Sequence, residues 1–365
     1  MRLSEEQQML ADLAERLLAD KASVDTLRAI RAASHDADYD HALWQAMIES
    51  GLTGILIPEA QGGMDFGLVS AGLVAREIGR RLALTPFLST AVLGAIAIRA
   101  AGNAEQQADW LAKIAEGQLV VALASDESSK HRPGRIATHA TAQGDTHTIS
   151  GEKMRVLDGP NAGLFVVSAL LDGAPRLFAV DATDSGVHVE SVTSIDTRSM
   201  AGLRLDNANA QRLDAGENAL DDVLNAGRAI LAMELIGLSR AVFERTLVYL
   251  SERKQFGQPI GAFQALQHRA AHLSVEIEIS EAMAFQALAA FDAGATDATQ
   301  QILVAKARAA DTARLAAAEG VQMHGGMGMT DEFDIGFFMK RARVASELLG
   351  DANFCADRFA RAKGY

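Results

Sequence analysis

The chain has 365 residues, of which 49% are hydrophobic and 22% are charged, so it can bury a sizeable core in two or three domains of roughly 100–200 residues each. Its 34 Lys and Arg residues against 47 Asp and Glu residues give a formal net charge of -13, which repels nucleic acids and anionic membranes. The single cysteine, Cys355, can form neither an intramolecular disulfide nor a thiolate metal cluster. We therefore expect a cytoplasmic protein with a passive thiol, no metal, and neither a nucleic-acid nor a membrane partner.

The N-terminal segment is predicted to form an amphipathic helix and not an export signal. Leucines from Leu3 to Leu17 recur at helical spacing, Ser4 is a candidate N-cap, and acidic residues follow it in the first turn. A signal peptide would need a basic flank and a continuous apolar run. Farther along, residues 87–98 are strongly apolar but fall short of the roughly 20 residues of a membrane span, which favours a buried helix.

The spacing of apolar residues changes twice along the chain. Helical spacing prevails up to about residue 118, and short β-branched runs separated by Gly, Asp, Asn or Pro follow up to about residue 215. Long helical patterns then return, near 220–252, 261–292, 296–324 and 331–363. The sequence thus predicts an α+β chain with three domains: an N-terminal helical domain (1–118), a middle antiparallel β domain (119–215) and a C-terminal helical bundle (216–365).

The segment RKQFGQPIGAFQ, residues 253–264, lies between two of the predicted long helices. Arg253 can place its planar guanidinium on a phosphate, and Phe256 can pack on a planar ring. Helix–turn–helix packing is the alternative explanation for the same residues.

The segment QMHGGMGMT, residues 322–330, is rich in glycine. Because Gly325 and Gly326 have no side chain, a bound phosphate or ribose can approach the backbone N–H groups closely. A plain helix C-cap would use glycine in the same way.

Together and in this order, behind a helical block and a β block, the two segments resemble the acyl-CoA dehydrogenase family. The resemblance spans essentially the whole chain, from SEEQQML near the start through PEAQGG and ISGEKM to the end. The stretches PFLST and GMTDEFDIGFFMKRARV are similar to a bacterial subgroup that includes small subunits of pimeloyl-CoA and sterol-type acyl-CoA dehydrogenases.

The resemblance implies an FAD enzyme with a C-terminal four-helix bundle. In the family, a carboxylate removes the α-proton of an acyl-CoA thioester while the β-hydrogen leaves as hydride to the flavin, which gives a trans-2-enoyl-CoA. The flavin is shared across a subunit interface, which implies a homotetramer or a heterotetramer with a related subunit, and electrons pass on to an electron-transfer flavoprotein. The positions that match the FAD contacts of the bundle are Arg253, Phe256, Gln264, Gln322, Gly325 and Gly326.

The chain departs from the family at the catalytic base. The usual glutamate position is occupied by Leu349, and the position of a second family arrangement is occupied by Gly227. Neither side chain can accept a proton. Glu347 and Asp351 lie near the usual position along the chain and are reserve candidates, although each is better explained as a solvated acid at a helix end.

Glu234 is the predicted catalytic base, because it lies in the middle of the apolar face of the helix predicted over 220–252. A carboxylate that is removed from water binds a proton more readily, which suits a general base for a weakly acidic C–H group. The alternative is a buried glutamate that pairs with Arg228 or with an arginine from another helix.

The middle domain also departs from the family. Where members carry Thr-Glu-Pro with a later Gly-Ser-Asp, and a Trp-Ile-Thr that contacts the flavin, this chain has Ala124-Ser125-Asp126 and Arg155-Val156-Leu157. Ser125 can still reach the edge of the flavin, but Leu157 offers it no hydrogen bond. An intact bundle motif beside an altered middle domain is the pattern expected if an unlike partner completes the site.

Three functions are therefore compared below. The first is an acyl-CoA dehydrogenase subunit with Glu234 as its base. The second is a non-catalytic subunit that completes the flavin site of a related chain. The third is a flavin-dependent oxygenase of the same family, which needs no base at the position of Leu349.

Overall fold

The computed structural model describes residues 3–33, 38–144, 146–213 and 219–365. Ser4 begins the first helix with a capping box, in which its hydroxyl accepts from the Gln7 N–H while the Gln7 side chain accepts from the Ser4 N–H. A buried π-helical segment, Phe87–Gly94, leads into the fifth helix and matches the apolar helix predicted there. The helices before the sheet are α1 (Glu5–Lys21), α2 (Val24–Ala33), α3 (His41–Glu49), α4 (Gly67–Arg81), α5 (Ala95–Ala101) and α6 (Ala104–Ala115).

A seven-stranded sheet follows, in the order β1-β4-β2-β3-β7-β5, with β6 paired to β7 and β5 paired back to β4. Its buried face is apolar and includes Phe165, Val167 and Phe178. The strands are β1 (Val121–Ala124), β2 (His139–Gln143), β3 (Thr146–Leu157), β4 (Leu164–Leu171), β5 (Ala174–Asp181), β6 (Val187–Thr193) and β7 (Ser199–Leu213).

The prediction of a wholly antiparallel sheet is wrong at one edge. β1 runs parallel to β4, and β2 meets β4 in parallel at the pair His139↔Leu170, whereas the other pairings of this sheet are antiparallel. A parallel pair needs a crossover connection, and the β2–β3 hairpin supplies it between β1 and β4.

Long helices form the rest of the chain and are joined by a two-stranded hairpin after the first of them. The sequence pattern near 331–363 is divided into two helices, because Leu349 and Gly350 have positive φ values of 56° and 109°. The elements are α7 (Ala219–Glu252), β8 (Lys254–Gln255), β9 (Gln258–Pro259), α8 (Gln264–Asp292), α9 (Ala298–His324), α10 (Ile335–Glu347) and α11 (Ala352–Ala362). The predicted α+β fold class, with helices, a β region and a helical bundle in this order, is confirmed.

The chain forms two compact units. The first, the helical unit, comprises Met1–Asp25, Leu68–Ala83 and Arg228–Tyr365, so α1 and most of α4 belong with the C-terminal helices. The second, the sheet unit, comprises Thr26–Gly67 and Leu84–Gly227. The three-domain division stays a prediction. Within the described ranges, no helix combines the length and apolar character needed to cross a bilayer.

In the helical unit, α4 and α7 touch backbone to backbone. A Cβ added to Gly79 would lie 2.0 Å from the Glu234 carbonyl oxygen, and one added to Gly237 would lie 1.8 Å from the Arg76 carbonyl oxygen. Since both obstacles are backbone atoms, neither can turn aside as a flexible side chain would. The two glycines therefore set how closely α4 and α7 approach.

We expect Gly237→Ala to lower the free energy of unfolding by about 3 kcal/mol, because the new methyl group forces the two helices apart. Urea titration of the purified protein measures this. Gly336→Ala is the matched control, since a Cβ at this α10 glycine meets no atom within 4 Å, and it should leave stability unchanged or raise it by up to about 1 kcal/mol. Equal losses in the two variants would contradict the close approach.

The loop between α10 and α11 is fixed by two fully buried cations from other helices. Lys306 of α9 donates through Nζ to the carbonyl oxygens of Ala345 at 3.2 Å, Ser346 at 2.9 Å and Gly350 at 3.3 Å. Arg228 of α7 donates through Nε to the Leu349 carbonyl oxygen at 2.8 Å. All three ammonium donors of Lys306 are thus satisfied by backbone acceptors, which hold the strained loop in place.

Burial lowers the pKa of Lys306 from 10.5 to about 8, with Arg228 contributing and Cys355, Asp351 and Glu347 opposing. Between these two pH values the unfolded chain binds more protons than the folded protein, so the contribution of Lys306 to stability rises with pH by roughly 3 kcal/mol in all.

The difference in unfolding free energy between the wild type and Lys306→Met should accordingly grow as pH rises from 7 to 9.5. The exposed Lys363→Met variant is the control, and its difference from the wild type should stay constant over this range. Parallel stability curves for the wild type and Lys306→Met would show that Lys306 stays charged throughout.

Candidate functional site

The Arg253 segment forms a tight hairpin between α7 and α8. Its turn residues, Phe256 and Gly257, both have positive φ values, of 52° and 80°, as a type I′ hairpin turn requires. This turn leaves the Phe256 side chain 91% exposed, with only an edge-on contact to Phe263 at a centroid distance of 6.0 Å. An aromatic ring in this strained and exposed position is unusual for packing alone and points to an external contact.

Arg253 is exposed at the base of the same hairpin. Its backbone is fixed, because its N–H donates to the Tyr249 carbonyl oxygen at 2.9 Å and its own carbonyl accepts from the Ile260 N–H at 2.8 Å. Its guanidinium has no ion-pair partner among the residues that the structure describes, although the protein carries an excess of acids. Gln264, exposed, is the first residue of α8 after this hairpin.

The glycine segment forms the end of α9. The Gly325 N–H donates to the Gln322 carbonyl oxygen as a helix cap, so the C-cap alternative is correct for the backbone. Gly325 has φ 59° and ψ -139°, and a Cβ added to it or to Gly326 would meet no atom within 4 Å. Gln322, Gly325 and Gly326 are exposed, so the loop presents an open backbone surface.

An aromatic cluster of Tyr249, His324 and Phe333 joins the two segments. The His324 ring lies 4.4 Å from the Tyr249 ring and 4.7 Å from the Phe333 ring, measured between centroids. The Tyr249 hydroxyl also donates to the His324 carbonyl oxygen at 3.3 Å. Tyr249 precedes Arg253 by one helical turn, and His324 directly precedes Gly325. The structure therefore brings both predicted bundle segments to the same end of the helical unit.

These residues fit the FAD that the resemblance implies. The exposed and unpaired guanidinium of Arg253 can bind a pyrophosphate, the open backbone at Gly325 and Gly326 can approach a phosphate or a ribose, and the exposed Phe256 ring can stack. Gln264 and Gln322 add exposed amide groups for hydrogen bonding.

Glu234 lies at another place in the same unit, about 28 Å from Arg253 along the helix axis at 1.5 Å per residue. It is 4% exposed, and its Oε1 lies 3.4 Å from Nη1 of Arg341 on α10. Nη1 of Arg341 also donates to the Ala83 carbonyl oxygen at 3.2 Å. The arrangement is that of a buried ion pair with an arginine from another helix, the alternative considered above.

The reserve carboxylates both have structural partners. Asp351 is the N-cap of α11 and accepts from the Phe354 N–H at 2.7 Å. Glu347 pairs with Arg343 one turn earlier on α10, at 3.1 Å. At the usual position of the base, Leu349 is held through its carbonyl by Arg228, whose guanidinium also lies over the Phe354 ring at 5.3 Å.

In the sheet unit, two adjacent acids organise the loop after β1. Asp126 accepts from His131 at 2.8 Å and from the Arg132 N–H at 3.0 Å, and it lies 3.7 Å from Arg155. Arg155 has φ 54° and lies at a register shift between β3 and β7, where a β-bulge redirects its side chain.

Glu127 closes the other half of this loop. It accepts from the buried Lys153 ammonium at 2.7 Å and from the N–H groups of Ala137 and Thr138. Burial favours its protonated form, but these hydrogen bonds outweigh burial and lower the pKa of Glu127. Ser125, 5% exposed, precedes the two acids, and its carbonyl oxygen accepts from the Ser168 hydroxyl at 3.5 Å.

Sequence reasoning missed the residues that hold the site together. No property of the residue types marks Tyr249, His324 and Phe333 as part of a site. The sequence signal for them is only their position near Arg253 and Gly325. Lys306 and Arg341 lie on buried helix faces, among small and apolar residues, and the sequence does not show that these two cations are buried. Among the described residues, no three His, Cys, Asp or Glu side chains are grouped so as to hold a metal ion.

Comparison with known proteins gives two family matches. Residues 4–118 match the model of the acyl-CoA dehydrogenase N-terminal domain, and residues 214–363 match that of the acyl-CoA dehydrogenase C-terminal domain. Among curated proteins, the chain is 30% identical over 347 residues to acyl-CoA dehydrogenase IpdE2 of Mycobacterium tuberculosis, covering 94% of this chain and 93% of that protein.

Two solved structures share the fold over nearly the whole chain. One is a variant of the Tcur3481-Tcur3483 steroid ACAD, at 32% identity and a TM-score of 0.92, covering 99% of this chain and 98% of that one. The other is the ChsE4-ChsE5 complex from Mycobacterium tuberculosis, at 25% identity, a TM-score of 0.92 and the same coverage. Acyl-CoA dehydrogenases are flavoproteins that use FAD, and this chain, matched at both ends and along its length, belongs to the acyl-CoA dehydrogenase family.

Proposed function

We propose that this chain is one subunit of a heteromeric acyl-CoA dehydrogenase, in which it supplies the bundle half of an FAD site while a related, unlike subunit supplies the catalytic carboxylate. The observation that carries the proposal is the loop at Leu349. This loop is fixed by Arg228 and Lys306, but the residue at the usual base position cannot accept a proton. The neighbouring Glu347 and Asp351 are engaged in a helix pair and a helix cap.

In the proposed site, each residue of the bundle half has one task. Arg253 binds the pyrophosphate, the Gly325–Gly326 backbone binds the adjoining phosphate or ribose, and Phe256 stacks on a planar ring. FAD, when bound, accepts the hydride equivalent that leaves the β-carbon of the acyl-CoA. Because half of each flavin site comes from a neighbour, the assembly has an even number of subunits, as a tetramer or a dimer of dimers.

The proposed product is a trans-2-enoyl-CoA, the proposed electron acceptor is an electron-transfer flavoprotein, and the proposed location is the cytoplasm. One related structure is named a steroid ACAD, and another is a complex of two differently named chains. A steroid-derived acyl-CoA is therefore the first substrate to test, with straight-chain and dicarboxylyl thioesters as comparisons.

The test compares the chain expressed alone with the chain co-purified from its native host. We expect the co-purified sample to contain a second band of similar size and to be bleached by an acyl-CoA without oxygen, and the chain alone not to be bleached. Bleaching by the chain alone would place the base within it. Failure of every acyl-CoA to bleach the complete assembly anaerobically would favour the oxygenase alternative.

Arg253→Ala provides the cofactor control for the same experiment. Loss of this charge-assisted contact should release FAD from the assembly, because the compact ammonium of a neighbouring lysine cannot reproduce the planar, forked contact of a guanidinium. Lys254→Ala, a change of the neighbouring exposed cation, is the matched variant and should keep its flavin. Full occupancy in Arg253→Ala would assign this arginine a purely structural role.

Glu234 as a catalytic base within this chain is the second candidate, and its burial on an apolar face favours it. The ion pair with Arg341 gives the competing expectation. A base predicts a stable Glu234→Gln variant with flavin reduction slowed by roughly 10²–10⁴. A buried pair predicts a destabilised variant, because the charge of Arg341 loses its partner.

We expect Glu234→Gln to lower the free energy of unfolding by about 3–5 kcal/mol, and the double change to Glu234→Leu with Arg341→Met to recover most of this loss. Glu244→Gln is the control on the same helix. It breaks a half-exposed pair with Arg80 and should cost at most about 1 kcal/mol. Unchanged melting of Glu234→Gln together with slowed bleaching would identify the base instead.

A further inference from the structure

His324 belongs to the glycine segment and contacts Tyr249, which lies one helical turn before Arg253. It is 2% exposed, and its ring contacts those of Tyr249 and Phe333, which also contact each other edge-on at a centroid distance of 6.2 Å. The backbone of His324 is linked to both segments. Its carbonyl accepts from the Tyr249 hydroxyl, and the next residue along the chain is Gly325. Any change in this ring therefore reaches both the hairpin side and the glycine side.

The hydrogen bonds of His324 fix its protonation state. Nδ1 lies 2.6 Å from the Gly320 carbonyl oxygen, and because a carbonyl only accepts, Nδ1 carries the hydrogen. Nε2 is buried and has no hydrogen-bond partner among the residues that the structure describes. The ring is thus a neutral imidazole with a bare lone pair, and a proton added at Nε2 would find no acceptor.

The charged groups on the surrounding elements do not compensate for such a proton. Arg245 of α7 pairs with Asp334 ahead of α10 at 3.3 Å, and Arg269 of α8 pairs with Glu319 of α9 at 2.6 Å. The faces of the Tyr249 and Phe333 rings attract a cation but offer no acceptor atom to Nε2–H. Burial lowers the pKa of His324, against the opposing effect of its bond to Gly320.

We propose that His324 is the positioning residue that holds the Gly325–Gly326 loop in register with the Arg253 hairpin, and that only its neutral imidazole can do so. The proposal rests on the proposed function, in which these two segments bind FAD. It makes FAD binding acid-sensitive, because protonation of Nε2 displaces the ring from its buried contacts with Tyr249 and Phe333, and the glycine loop moves with it.

The experiment measures the FAD association constant of the intact assembly by titration with FAD at pH values from 8 to 5. In the wild type, affinity should fall with acid, approaching the tenfold per pH unit that one linked proton allows. The His324→Phe variant keeps an aromatic ring at this position but cannot titrate there. Its FAD affinity at pH 8 should therefore stay within about tenfold of the wild type, and the fall in affinity with acid that is linked to His324 should disappear.

His272→Phe is the matched control, since His272 is an exposed imidazole of the same unit, and its profile should equal that of the wild type. Equal pH profiles for the wild type and His324→Phe overturn the inference. Absence of FAD binding by the wild type at pH 8 overturns the proposed function instead.

A second measurement needs no variant. The imidazole nitrogen resonances of the wild type should show that His324 carries its hydrogen on Nδ1 at pH 7. In the FAD complex, Nε2 should stay unprotonated well below pH 6.5. A protonated ring, or an Nε2–H tautomer, in that complex at pH 7 would overturn the inference even if His324→Phe fails to fold.

Discussion

The helical unit depends on a buried glutamate–arginine pair at a junction of three helices. Glu234 of α7 meets Arg341 of α10, and the same guanidinium nitrogen bonds to the Ala83 carbonyl just beyond α4. Directly beneath, the Glu234 backbone lies against Gly79 without room for a methyl group. The position of α7 at Glu234 is thus fixed on one side by the ion pair with Arg341 and on the other side by the close backbone contact with Gly79. Because helices are stiff, fixing α7 and α10 here also orients the part of α7 that carries Tyr249 and the start of α10, which directly follows Phe333. Both of these residues contact His324.

Three cationic side chains are fully buried in the helical unit, although the protein carries a formal net charge of -13. Three of the largest fully buried side chains of the helical unit are Arg228, Lys306 and Arg341, each at most 1% exposed. Two of them, Arg228 and Lys306, donate to backbone carbonyls at the loop between α10 and α11. Carbonyls at helix C-termini carry partial negative charge and lack intrahelical donors. A buried cation there both supplies the missing donors and is stabilised by the partial negative charge. A loop held this firmly keeps its shape whether residue 349 is a glutamate or a leucine.

The sequence allowed the framework to be predicted but not its buried contacts. The helix at Ser4 follows from a local capping box, and the long helices follow from apolar spacing, because each depends on neighbours within a few residues. The partner of Glu234 did not follow, because residue 341 is distant in sequence and many buried arginines fit the same pattern. The parallel edge at β1 was also missed, since strand direction depends on the path of the chain and not on local residue types. For the candidate site, the residue types of the two segments and their resemblance to the family marked Arg253 and the glycines, whereas the His324 cluster required three separate segments to be placed in space.

In the sheet unit, the segments that depart from the family keep side-chain support for their backbone. If the loop after β1 had merely lost its flavin-contacting residues, its backbone would be expected to lack side-chain support. Instead, Asp126 binds one half of the loop through His131, and Glu127 binds the other half through the N–H groups of Ala137 and Thr138 while it pairs with Lys153 of β3. Arg155 lies near Asp126 in a strained backbone conformation. Strain of this kind persists only where the surroundings enforce it. The loop after β1 is thus held by largely buried ion pairs and by hydrogen bonds to its backbone, so its shape does not depend on the residues that contact the flavin in the family.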